Sequence, residues 1–93
     1  GDGRDRGHAA TRARIVADTP ALKERELLKM ATLTTTATEA LAARGVAEPA
    51  ATLAAHTAIA VFQTAFARWV SGEHEQSFVE CCDQAAAALR GLM

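Results

Sequence analysis

Aromatic residues make up only 4% of this 93-residue chain, tyrosine is missing, prolines number two, and the two cysteines are adjacent. Each shortage excludes something. With so few aromatics, alanine supplies much of the 49% hydrophobic share. Alanine gains little at about 25 cal/mol per Å² of buried apolar surface, so the core must be thin and built from helices in close approach. A disulfide between the neighbours Cys81 and Cys82 would be strained, which excludes a secreted disulfide framework and points to a reduced, cytoplasmic setting. Neither sign of charge is in excess: the net charge is −1, and the broad basic field of a nucleic-acid binder is missing. Arg4, Arg6, Arg12 and Arg14 cluster early, but Asp2 and Asp5 dilute them and no aromatic residue interleaves them, as in a solvated tail. No signal peptide is visible. No repeat occurs, and no segment alternates polar with apolar, which excludes strands.

The chain does have one dominant helix candidate. Residues 50–70 are apolar on almost every side, with Thr52, His56, Thr57, Gln63, Thr64 and Arg68 as the polar members. A helix apolar on one stripe needs one neighbour; a helix apolar all round needs several. A 93-residue chain is a single domain near the lower limit for folding alone. Part of this helix is therefore expected to be covered from outside the chain. A bilayer is not the expected cover. About 20 apolar residues can span one, but His56, Gln63 and Arg68 would be costly within it.

Punctuation divides the rest. Residues 1–8, rich in glycine and charge, read as a disordered tail, and residues 9–93 as one helical domain. A short first helix is expected over 9–18. Thr19 at the N-cap and Pro20 at the first helical position open a second helix, which runs to Arg44 and stops at Gly45. On it Leu22, Leu27, Met30, Ala31, Leu33, Ala37 and Leu41 share a broad apolar face that Thr34 and Thr38 interrupt. Pro49 opens the third helix and Gly72 closes it. The fourth is expected over 75–92, with Phe78, Cys81, Cys82, Ala85, Ala88, Leu89 and Leu92 on one side. Short connections make the later helices antiparallel neighbours. The expected architecture is all-α: an antiparallel bundle of about four helices, the last two joining those of a second copy in an intermolecular four-helix bundle. Ala60, Phe66, Phe78, Cys81, Cys82, Ala85 and Leu89 are the expected dimer-interface residues.

Thr52, His56 and Gln63 fall on one stripe of the third helix. Polar groups on a largely apolar helix need partners. The stripe marks either a polar patch in a ligand pocket, faced by Thr34 and Thr38, or hydrogen bonds to carbonyls and across a dimer seam. Trp69 either stacks on a ligand or packs near the helix end. Cys81 and Cys82 read as small buried hydrophobes, because Glu80 and Asp83 beside them lack the positive charge that a reactive thiolate needs. Glu73, His74 and Glu75 are consecutive in a turn and lack metal-site spacing. No nucleophile–base pair, phosphate-binding glycine loop or paired acid appears, so neither an enzyme nor a cofactor is expected.

Four segments carry a resemblance. They are Thr19-Pro20-Ala21-Leu22-Lys23-Glu24-Arg25-Glu26-Leu27-Leu28, its alanine-rich continuation into Ala42-Ala43-Arg44-Gly45, the close Ala67-Arg68-Trp69-Val70-Ser71-Gly72, and the final Ala86-Ala87-Ala88-Leu89. Together they resemble the C-terminal ligand-binding and dimerisation domain of actinobacterial TetR-family transcriptional regulators, over residues 12–92 by order and spacing of elements. The resemblance implies a homodimer in which a small hydrophobic effector, bound between helices, biases the relative orientation of the protomers. It also implies a DNA-binding helix-turn-helix, which nothing in this sequence matches, so DNA contact is expected only through a head outside it. The alternative is a standalone helical module that pairs with another protein through the third helix and takes no ligand.

Overall fold

The computed structural model describes residues 2–73 and 75–93, with only the backbone described for Asp2. Its helices are α1 (Asp2–Asp18), α2 (Pro20–Ala43), α3 (Ala50–Ser71) and α4 (Phe78–Leu92), and no strand occurs among the described residues. The architecture is all-α. α3 packs most extensively on α4 and next on α2, while α1 makes smaller contacts with both α2 and α3.

Each helix boundary has a local cause. α1 reaches back to Asp2, through Gly3 and Gly7, well before the start at residue 9 that its apolar pattern marks. Two contacts steady this stretch. Thr11 Oγ1 donates to the Gly7 carbonyl at 3.0 Å, and the Arg6 guanidinium passes over Gly72, with Nε 3.6 Å from where a Cβ would stand. The end of α3 thus supports a segment whose composition alone reads as tail. α2 opens at Pro20 behind an extended Thr19. It closes with Gly45 at φ 93, where Gly45 N–H donates to Ala42 O and Val46 N–H to Leu41 O, both at 3.0 Å. That paired arrangement satisfies carbonyls the helix end would leave bare. α3 ends on Gly72 in the left-handed region, φ 67. α4 begins three residues later than its acidic approach indicates. Ser77 caps it, accepting from Glu80 N–H at 3.2 Å while Ser77 N–H donates to Glu80 Oε1 at 3.1 Å.

The threonine interruption on α2 resolves within the helix. Leu22, Glu26, Met30, Thr34, Ala37, Thr38 and Leu41 form its half-buried side, whereas Leu27, Ala31 and Leu33 are exposed. Thr34 Oγ1 donates to Met30 O at 2.9 Å and Thr38 Oγ1 to Thr34 O at 2.8 Å. Each hydroxyl is satisfied one turn back, so it can turn inward without a partner from another helix.

The buried core consists of Ala51, Ala55, Ala65, Cys81 and Ala85, and its largest fully buried side chain is Cys81. Ala65, Cys81 and Ala85 bring α3 and α4 together, with Val61, Trp69, Phe78 and Cys82 packed around them. Phe78 meets Trp69 edge-on at 5.4 Å and Phe62 at 5.7 Å, the geometry aromatic quadrupoles favour. α2 has no buried residue, and Leu27, Leu28, Leu53 and Val79 remain 63–67% exposed. The thin core is real.

Two measurements check this packing. Ser77→Ala should destabilise the fold by about 1 kcal/mol, read as a lower urea midpoint; an unchanged midpoint would show that the cap does not hold α4. In native Cys82→Ser, alkylation of Cys81, which is 1% exposed, should wait for unfolding. Prompt labelling would contradict the close contact of α3 and α4.

Candidate functional site

α1, α2 and α3 surround an open groove of about 500 Å³. Helical periodicity supplies its walls: Ala13, Val16 and Ala17 share one side of α1, Leu27, Met30 and Leu33 come from α2, and Phe62 and Phe66 from α3. The two phenylalanines stack at 6.2 Å, and Phe66 leads on to Trp69 at 6.0 Å, so the α3 wall is continuous with the aromatic packing against α4. The exposed lining surface is mostly apolar. Arg12, Lys23, Glu26, Lys29 and Gln63 complete the lining. An apolar cleft of this size with a small polar set is the usual form of a small-molecule site.

One ion pair joins two of the walls. Arg12 Nη2 on α1 lies 2.6 Å from Glu26 Oε1 on α2, with the side chains 63% and 28% exposed. The hydrogen bond from Arg12, aided by the charges of Arg12 and Lys29, holds the Glu26 carboxyl below its ordinary range against the opposing effect of partial burial. A second carboxylate is held low at the start of α3. Glu48 accepts from both the hydroxyl and the backbone N–H of Thr52, which satisfies a free amide of the first turn.

The residues singled out by sequence have different surroundings. Gln63 lines the groove. Thr52 serves Glu48, Thr34 and Thr38 bond within their own helix, and His56 is exposed on α3. Trp69 is half-buried against Ala65, Cys81 and Ala85. Cys81 and Ala85 are buried between α3 and α4 of the same chain, Phe78 and Cys82 pack beside them, Leu89 is half-buried, and Ala60 is exposed. Phe66 turns to the groove. The α1 wall is the part that sequence reasoning missed. Ala13, Val16 and Ala17 at helical spacing were its signal, but a charged, glycine-rich neighbourhood masked it. No periodicity links Arg12 with Glu26, which lie 14 residues apart.

Among the described residues no group of three His, Cys, Asp or Glu could hold a metal ion. Of the consecutive Glu73, His74 and Glu75, His74 lies outside the described residues. By length and composition alone α3 could cross a membrane; 17% of its apolar window is buried in this chain.

No curated protein sequence matches the chain significantly. Over residues 1–93 it matches the family described as the MftR C-terminal domain, a TetR-family C-terminal domain. Domains of this kind have regulatory roles in soluble transcription regulators. With its all-α architecture and a match over the whole of its length, the chain belongs to the TetR-family C-terminal domains.

Proposed function

We propose that this chain is the effector-sensing and dimerisation domain of a TetR-like cytoplasmic repressor, in which a small apolar molecule modulates DNA binding by the intact protein. The groove of about 500 Å³ carries the effector half of this reading. A molecule seated there touches three helices at once. It therefore favours whichever arrangement of α1 against α2 and α3 gives it the most contact, and that difference in affinity is what shifts a population. Gln63 offers the effector one polar contact on an apolar wall. The other candidates, Thr34, Thr38, Thr52, His56 and Trp69, are engaged or face elsewhere, so we assign the ligand to the groove residues instead.

The dimer half rests on the outer side of α3. Leu53, Ala60 and Ala67 recur at seven-residue spacing and all three are exposed, with His56 beside them. An apolar line of one leucine and two alanines with that period suits packing against a helix of a second copy. Val79 and Leu92 on α4 are exposed as well. Ala60 thus belongs to the seam, whereas Phe66 belongs to the groove.

Two experiments test these halves. Small apolar compounds screened by thermal shift should yield one that raises the melting temperature, and Leu33→Gln should remove most of that rise; a shift indifferent to Leu33→Gln counts against the groove. Ala60→Glu would bury an unpaired charge at the seam, worth several kcal/mol, and should weaken self-association at least about tenfold in sedimentation velocity. Unchanged association would place the seam elsewhere.

A further inference from the structure

We propose that the Arg12–Glu26 ion pair is a latch that holds α1 against α2 and so sets how tightly the groove retains an apolar molecule, a reading that rests on the groove being the effector site. Beyond the approach of Arg6 to Gly72 at its first turns, α1 has little else to hold it. None of its described side chains is buried, and Ile15 is 53% exposed. Its contacts with α2 and α3 are the smaller ones in the fold. Across that weak apolar seat, Arg12 Nη2 reaches Glu26 Oε1 at 2.6 Å, the one ion pair found among the described residues. Both partners line the groove. Val16 follows Arg12 by one helical turn on the same face of α1, so the ionic contact and the apolar wall move as one body.

The consequence is cooperation. Ala13, Val16 and Ala17 form a wall only while α1 is docked, so the latch and a bound molecule favour the same arrangement. By linkage, each strengthens the other by the same factor. An exposed pair shifts such an equilibrium by up to about fivefold. That strength suits a contact that opens and recloses, and salt weakens it, because screening at 1 M acts over about 3 Å.

The test uses the whole chain and the uncharged dye N-phenyl-1-naphthylamine, whose fluorescence rises in apolar surroundings. Leu33→Gln reports whether the dye occupies the groove, and Arg25→Gln, exposed on α2 outside the lining, controls for loss of a positive charge. Arg12→Gln and Glu26→Gln should each raise the dissociation constant about two- to fivefold. The double variant should lose no more than either alone, the wild type should show the same loss in 1 M salt, and Arg25→Gln should change nothing. Hydrogen exchange gives a readout without the dye: α1 amides should exchange faster in both latch variants while α3 and α4 keep their rates. If Leu33→Gln weakens binding but the latch variants leave both dye affinity and α1 exchange unchanged, the latch is overturned and the groove stands. Losses that add in the double variant also overturn the pairing. Dye binding that ignores Leu33→Gln removes the groove as the apolar site, and the latch with it.

Discussion

The close approach of α3 and α4 over Ala65, Cys81 and Ala85 is the constraint on which the rest of the molecule depends. Small side chains let two helices come together, but they remove little apolar surface from water. Stability must be recruited from the flanks, where Val61, Trp69 and Phe78 close around the contact. The aromatic residues are few, yet they are concentrated here. Phe62, Phe66, Trp69 and Phe78 form a connected set, each ring within 6.2 Å of the next. The same set is both the edge of the core and the α3 wall of the groove.

α3 divides its surface among several tasks. Ala65 serves the contact with α4, Phe62 and Phe66 face the groove, and Leu53, Ala60 and Ala67 are left outside. This division explains why the helix is apolar nearly all round. It also explains the groove. On α1 the facing residues are Ala13, Val16 and Ala17, too small to fill the space between α2 and the phenylalanines of α3, so a cleft remains where a larger side chain would have made core. α1 is the least firmly held wall.

Much of the fold is legible in the sequence. Pro20, Gly45 and Gly72 stand at helix ends for reasons of backbone conformation that need no tertiary context. The all-round apolar α3 was readable from composition along one segment. Other features depend on partners. The first turns of α1 rest on the Arg6–Gly72 approach, which joins residues far apart in the chain. Thr34 and Thr38 interrupt an apolar face only if their hydroxyls are thought to need another helix; bonded one turn back, they do not. The start of α4 was encoded in Ser77 and Glu80, a capping pattern at three-residue spacing that the charged approach at residues 73–75 obscured. The candidate site was the least legible part, because a groove is defined by what three helices fail to fill, and its ion pair has no periodic signature.

A small-residue core and an exposed apolar stripe on α3 are the physical grounds for our proposal that a second copy completes the domain. The most direct measurement is the molar mass of the chain by light scattering over a range of concentrations. Twice the chain mass, persisting on dilution into the micromolar range, is the result we expect. A well-folded species of single chain mass at every concentration would contradict it, and would mean that α3 is stable with its outer stripe in water.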